Sequence, residues 1–427
     1  MRKLTLDLFQ ILIDDKTTEI GFEKNIILEE NKNKRKFTAN NKYSILNITS
    51  LFGKVNIKAQ SYYNKTLKKS LKTNCVNYIE NDRISPVVKK RIVKLTPFDF
   101  FVDANEKLYE LTGINISVST MKRVTNNIAK QNNKWLEKLI KHKNKQSYEE
   151  NIVINSERIV ISNDGGRFKK INSEKKMGRK SPKNPEWKEA KAGIVFEIDE
   201  NGKKINKSYF YGKFEKKWSD LEENLKYIIN RFNIIKCKQY ETISDNGNGL
   251  KQMYVRIFGE ANNKIYFDLS DFFHTIEHLV ELGKIIYPNK NNAEETSEEC
   301  GVFIKNSTDI LIEKGGEKLL DFFRLEAYDN KLLKNNYDKN IGYFKNNYKR
   351  MDYHISIKNK LPIGTGDMEA SIKKLINKRF KRNNIYWLTD NANNLFRLSC
   401  TILNKEFNQF WGERNNKNSW FDFKKTA

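Results

Sequence analysis

Between residues 158 and 270 the apolar pattern changes period again and again, and this alternation limits the folds open to the chain. Arg158 to Ser162 is a short β-branched run that ends at Asn163-Asp164-Gly165-Gly166. Ala192 to Ile198 and Lys204 to Tyr211 read as a hairpin around Glu200-Asn201-Gly202, a strong turn signal. Helical spacing follows through Trp218, Leu221, Leu225, Ile228 and Ile229. A strand from Cys237 to Ser244 leads into Asp245-Asn246-Gly247-Asn248-Gly249, a helix reaches Ile257 and Phe258, and a strand from Lys264 to Leu269 ends near Asp268. The predicted order is β-β-β-α-β-α-β, an antiparallel hairpin extended by parallel strands with helices over the sheet.

The flanks read differently. Leu4, Leu6, Leu8, Ile11 and Leu12 open an amphipathic stretch. Residues 44 to 63 show strand-like alternation around Phe52, Val55, Ile57 and Ala59 with a turn at Gly53-Lys54, a small β hairpin whose partner is not evident. From Ser85 to Asn127 the spacing is helical: Pro86 suits a first turn, Thr96-Pro97 opens a helix that Gly113 stops, and Ser117 or Ser119 caps a third through Met121, Val124 and Ile128. With Lys122 and Arg123 on its second helix this pair suggests a helix-turn-helix, and an ordinary helical hairpin fits equally well. The Lys- and Gln-rich residues 130 to 150 read as a helical connector. Residues 275 to 358 are mostly helical in pattern with a loop at 289 to 298, and a final helix begins after Pro362 and Gly366.

The expected organisation is therefore α/β. Residues 1–84 form an N-terminal region with a β hairpin, and 85–150 a helical region that is the helix-turn-helix DNA-binding candidate, the two together mainly helical. Residues 151–274 and 359–427 form the two parts of a core with a mixed sheet of ribonuclease-H-like arrangement, interrupted by a helical insertion at 275–358.

Composition narrows the partners. The chain has 427 residues with 79 Lys plus Arg against 53 Asp plus Glu, a formal charge of +26. Such an excess is either solvated or matched by an anion, and a polyphosphate backbone is the commonest match. The 26 Phe, 19 Tyr and 6 Trp argue against global disorder. Cys75, Cys237, Cys300 and Cys400 lie far apart with no CxxC pair, so neither a zinc ribbon nor a disulfide framework is indicated. No secretory leader and no apolar run approaching 18 residues is evident, which predicts an internal, cytoplasmic protein without a membrane segment.

Phosphodiester transfer needs an activated oxygen nucleophile and a stabilised leaving oxygen, and two Mg²⁺ (or Mn²⁺) ions roughly 3.5–4 Å apart supply both. Hard cations of this kind are held by carboxylates. Asp164 and Asp245, each beside glycines at the end of a predicted strand, and Glu369, in the first turns of the helix opened by LPIGTGDMEAS, are the candidate ligands. On spacing alone each is equally well an ordinary turn or surface acid.

Four ordered segments carry a resemblance: SNDGGRFKK with the following basic loop and WKEAKAGIVFEIDENG (162–202), SDNGNG (244–249), DFFHTIEHL (271–279) and LPIGTGDMEASIKKLINKRFKRNNIYW (361–387) continuing into NANNLFRL. They resemble the ISKra4-like family of bacterial DDE transposases over roughly residues 45 to 400. The resemblance implies that Asp164, Asp245 and Glu369 are the catalytic, metal-binding acids, and that the helical stretch between the last two is an insertion in the core. Asp271, His274, Glu277 and His278 match the family's DFYH…EH motif and are expected near the site, His274 at a phosphate or the scissile region. Asp268 and Asp271 compete with Asp245 for the metal, and the motif favours Asp245. His274 and His278, at i,i+4, could alternatively bind zinc, although no further ligand stands nearby in sequence. Two departures are plain: DNGNG and Leu250 replace the family's DGA with its nearby tryptophan, and Asn64-Lys65-Thr66 replaces cysteines.

A DNA interface is expected from Lys122, Arg123, Arg167, Lys175, Lys176, Arg179, Lys180, Lys373, Lys374, Lys378, Arg379, Lys381 and Arg382. On the helix after Glu369 these cations alternate with an apolar face of Ile372, Leu375, Ile376 and Phe380, and Trp387 is expected to pack. The implied activity is cleavage of element ends and their joining to double-stranded target DNA near the bacterial nucleoid, by a homo-oligomer because two ends must be paired. A domesticated, non-catalytic DNA-binding protein and a ribonuclease-H-like nuclease without strand transfer are the alternatives.

Overall fold

A computed structural model describes residues 25–30, 33–74, 83–143, 157–171, 186–205, 208–214, 216–232, 237–245, 249–262, 264–289, 295–335, 337–382 and 385–417, together with Asp7, Leu8 and Gln10. The predicted amphipathic N-terminal stretch and Lys175, Lys176, Arg179 and Lys180 lie outside the described residues, apart from Leu8. The chain divides into two compact units, 1–135 with 405–427, and 136–404. The first break falls inside a helix, where the change in composition had suggested residue 150.

In the first unit the predicted hairpin is the centre of a larger sheet. Strands β1 (Asn25–Glu30), β2 (Asn33–Thr49), β3 (Lys54–Asn64) and β4 (Lys69–Asn74) pair antiparallel in chain order. β1 and β4 are the partners that sequence did not reveal, so the first 84 residues are mainly strand among those described, not mainly helix. The hairpin turn is Ser50–Gly53, with the Ser50 N–H donating to Gly53 O at 2.7 Å, and Phe52 belongs to it rather than to a strand. Alternation holds along β3: Val55, Ile57 and Ala59 are buried while Lys54, Asn56 and Lys58 are exposed.

Two helices of this unit open at serine caps. α1 (Pro86–Leu95) has Pro86 in its first turn after Ser85, whose hydroxyl accepts from the Val88 N–H. α2 (Phe101–Thr112) starts at Phe101 and not at the expected Thr96-Pro97, because Thr96 closes the helix before it. It ends at Gly113 with φ 63°, a conformation costly for any side chain. α3 (Val118–Lys143) begins after Ser117, whose Oγ accepts from the Thr120 N–H at 3.2 Å. The predicted connector is the continuation of α3 to Lys143. Lys122 and Arg123 are exposed on it.

The second unit holds a five-stranded mixed sheet of β5 (Arg158–Lys170), β6 (Glu186–Glu197), β7 (Tyr209–Phe214), β8 (Gln239–Ser244) and β9 (Tyr266–Ser270) in the order β7-β6-β5-β8-β9. β5, β6 and β7 pair antiparallel, and β8 and β9 extend β5 in parallel. One expectation is corrected. Asp164-Gly165-Gly166 is not a turn at the end of a strand; β5 runs on through it, pairing Asp164 with Ala192, Gly165 with Lys191 and Gly166 with Ala190. Arg167, exposed, is thus on a strand and not in a basic loop.

The glycines serve packing. Side chains alternate across a strand, so Asp164, Gly166 and Phe168 share one face and Asn163 the other. On the Asp164 face lie α9 (Gly366–Ile372), which continues as a π-helical turn (Lys373–Asn377) and a last α turn (Lys378–Phe380), and α10 (Thr389–Leu403). A Cβ on Gly166 would stand 2.7 Å from Cγ2 of Ile376, and one on Gly212 2.9 Å from the Phe396 ring. On the opposite face Asn163 Oδ1 accepts from the hydroxyls of Tyr211 (2.8 Å) and Tyr254 (2.7 Å), the latter on α5 (Leu250–Phe258). With both faces covered, Ile159, Val160 and Ile161 are all fully buried. α4 (Glu222–Phe232) joins β7 to β8.

Between β9 and α9 the described chain is helical, as expected: α6 (Phe272–Ile286), α7 (Glu298–Lys314), α8 (Gly316–Asp329) and short turns of helix to Lys358. Arg350, buried, ties this region to the sheet, since its guanidinium meets Asp268 Oδ2 at 2.9 Å and donates to Ser244 Oγ (2.9 Å) and Leu269 O (3.0 Å). Cys237, Cys300 and Cys400 are buried, and Cys75 lies outside the described residues. Among the described residues no helix is long and apolar enough to cross a membrane.

Candidate active site

The strand register decides which acids meet. The parallel ladder of β5 and β8 ends with Asn163 opposite Ser244, and that of β8 and β9 ends with Ser244 opposite Ser270. The next residue on each strand is an aspartate: Asp164, Asp245 and Asp271. They form one row across three neighbouring strands, which run about 4.8 Å apart. The Asp271 N–H prolongs the ladder by donating to Ser244 O at 2.9 Å.

The electrostatics follow from that row. Burial and then the neighbouring Asp245 carboxylate push the Asp164 carboxyl up to about 6, with Asp271 adding to the effect; a hydrogen bond from the Gly165 N–H and the nearby His274 oppose it. Asp271 behaves oppositely. Burial raises its carboxyl, but hydrogen bonds from His274 and Thr365 outweigh that and hold it below the usual range. Its Oδ1 accepts the His274 N–H at 2.9 Å and lies 3.3 Å from His274 Nδ1, while Oδ2 accepts the Thr365 N–H at 2.6 Å. The hydrogen bond to Asp271 raises His274 to about 9, with Asp271, Glu277 and Asp164 adding negative potential against the cost of burial. At neutral pH the imidazole is a cation.

Asp268 stands apart from this group. Its carboxylate is held by Arg350 and by the Thr242 hydroxyl at 2.8 Å. His278 turns from the row, with Nδ1 3.2 Å from Glu281 Oε2 and its ring 3.8 Å from that of Tyr343. Glu277 is exposed.

Glu369 is exposed on α9, and two contacts bracket it. Thr365, just before the helix, is bonded to Asp271, and Ile376, seven residues beyond Glu369, packs at Gly166, two residues along β5 from Asp164. Those seven residues span roughly 10 Å of helix. Glu369 is thereby carried over the sheet face of Asp164, but among the described residues no three of His, Cys, Asp and Glu stand close enough to hold a metal ion. That applies to the alternative His274–His278 zinc pair as well.

Beyond Glu369, Lys373, Lys374, Lys378, Lys381 and Arg382 are exposed. Arg379 is not. It is buried, with its guanidinium carbon 5.0 Å from the Trp387 ring centre, and is removed from the expected phosphate stripe. Its position, three after Ile376 and four after Leu375, puts it on the apolar side of the helix. Trp387 packs as expected, 4.9 Å from Phe380.

Sequence reasoning missed two residues here. Arg350, in a polar stretch, gave no signal. The tie from Asp271 to Thr365 was also unseen, although an aspartate opening a helix is a capping signal.

No protein-family model and no curated protein matches the chain. Among solved structures it is similar to the Drosophila P element transposase strand transfer complex at 10% identity, covering 80% of this chain and 82% of that one with a TM-score of 0.27. A superposition that loose does not establish a common fold, and the ISKra4-like resemblance rests on its four motifs.

Proposed function

We propose that this chain is a DDE-type transposase with a ribonuclease-H-like core, which cuts element ends and joins them to double-stranded DNA. The observation that carries the reading is the placement of Asp164, the residue after the last β5–β8 pair (Asn163 with Ser244), level with Asp245, which directly follows β8, with Asp164 lifted to about 6 by burial and its neighbour. A three-strand antiparallel meander extended by two parallel strands supports the fold assignment.

Asp164 and Asp245 would hold divalent metal, with Glu369 as the third acid from α9. Two Mg²⁺ or Mn²⁺ ions supply, when bound, activation of the attacking oxygen and stabilisation of the leaving one. The chain's own groups do the rest. The cationic His274 beside the row offers a charged donor to a phosphate oxygen. Lys373, Lys374 and Lys378, exposed beyond Glu369, position the backbone without reading sequence. Lys122 and Arg123 on α3 in the first unit, and separately Arg167, Lys381 and Arg382 in the second, would contact further phosphates and fit a strongly basic chain. Pairing two ends calls for at least a dimer.

The test is a plasmid carrying the gene with its flanking DNA, incubated with purified protein and Mg²⁺ or Mn²⁺. Cleavage and joined products are expected, and Asp164→Asn, Asp245→Asn and Glu369→Gln each reduce both by roughly 10³-fold, about 4 kcal/mol of transition-state stabilisation. Full activity in any of the three sinks the assignment. Cleavage without joining would make the chain a nuclease. Binding without cleavage would make it a non-catalytic DNA-binding protein.

A further inference from the structure

Asp271 belongs to the acid row by register, yet both of its oxygens are spent on the protein itself. Oδ1 caps α6 through the His274 N–H, and Oδ2 accepts the N–H of Thr365, 94 residues further along the chain. The neighbouring backbone reinforces the same junction. The Phe272 N–H donates to Ile363 O at 3.0 Å, and the Phe273 ring fills the place of a Cβ on Gly364, 2.6 Å from where that atom would be. Residues 363–365 are therefore clamped to the start of α6, and residue 366 begins the helix that carries Glu369. At the other side, the Asp271 N–H is bonded to Ser244, the residue before Asp245.

We propose that Asp271 is a positioning residue: one buried carboxylate sets the place of the Glu369 helix relative to the Asp164–Asp245 pair. The inference rests on the reading of those three acids as one metal-holding set. A hydrogen bond from a backbone N–H to a buried carboxylate is short and directional, so it fixes the first turn of α9 at the sheet end, while Ile376 against Gly166 fixes the turn after it. A residue with only a capping role would leave α9 in place when another capping side chain replaced it.

The experiment uses the full chain loaded with Fe²⁺, ascorbate and peroxide, and maps backbone cuts made by hydroxyl radicals released at the bound iron. In the wild-type chain cuts are expected near residues 164, 245 and 369. Asp271→Ser keeps an N-cap oxygen for the His274 N–H but is too short to reach Thr365. It is expected to retain the cuts near 164 and 245, to keep its melting temperature close to wild type, and to lose the cut near 369 by roughly tenfold. Asp271→Asn, which keeps the shape and one acceptor, is expected to fall between the two and takes the place of the Ser variant if that fails to fold. An unchanged cut near 369 in either folded variant overturns the proposal. So does equal loss of all three cuts, because Asp271 would then support the pair itself. Absence of cuts near 164 and 245 in the wild-type chain overturns the metal-site reading, and this inference with it.

Discussion

Asp164 holds its proton more tightly in the folded chain than an ordinary aspartate, because ionising it places a second charge beside Asp245 in a partly buried site. Its folded value of about 6 exceeds the reference of 3.8, so folding takes up protons between those values and stability declines as pH rises through that window. The penalty is absent below about pH 3.8 and complete above about pH 6. Asp164→Asn is therefore expected to stabilise the metal-free protein at pH 7.5 by on the order of 2 kcal/mol and to be near neutral at pH 3.5. Urea unfolding at the two pH values checks this, and equal effects at both would show that the cost of ionising Asp164, from burial and then from Asp245, is not the cause. The identities of Asp164, Asp245 and Asp271 were legible as acids beside strand signals; that they share one row was not, since register between strands far apart in sequence leaves no local trace. Arg379 shows the converse. A cation in a basic run reads as solvent-facing, and only the rotation of its helix put it over Trp387.

Among the elements, β5 and α9 were misread and well read respectively, for physical reasons. Asp-Gly-Gly is a turn signal in isolation, but here the glycines continue a strand because a helix lies against it. Gly166→Ala would bring a Cβ to 2.7 Å from the branched Ile376 side chain, whereas Gly165→Ala meets only the flexible tip of Glu189 at 2.7 Å. The first is expected to cost about 1–3 kcal/mol and the second distinctly less. Denaturation midpoints of the two variants measure the difference, and equal costs would refute the packing account. The start of α9 after Pro362 and Gly366 was legible from its breakers, whereas the π-helical turn at Lys373–Asn377 was not. In the first unit the hairpin was seen without its outer strands, because β1 is a short apolar run (NIILEE) and β4 a mostly polar one (KSLKTN), neither with an alternating pattern.

For the whole molecule, a charge of +26 predicts that the proposed DNA binding has a large sequence-independent component. Affinity for double-stranded DNA is expected to fall by roughly 10³-fold or more between 50 and 200 mM salt, as for a protein making several phosphate contacts. Asp164→Asn and Glu369→Gln should leave that slope unchanged, since neither removes a cation. Fluorescence anisotropy across a salt series tests both statements; a flat salt dependence would remove the polyphosphate partner from the argument.

By itself the sequence determined the order of strands and helices between residues 158 and 270, the serine caps that open α1 and α3, the glycine that ends α2, the basic composition and the acids worth considering. These are properties of neighbours along the chain: periodicity, turn residues and composition. Only the tertiary structure decided that Asp164 stands inside a strand, that Asp268 is occupied by Arg350 while Asp271 joins the row, and that the Glu369 helix is tied to Asp271. These depend on contacts between residues distant in the chain: Asp164 pairs with Ala192, 28 positions on, Arg350 meets Asp268 from 82 positions away, and Thr365 meets Asp271 from 94. No local pattern encodes such a distance, so it exists only once the sheet and its covering helices have formed.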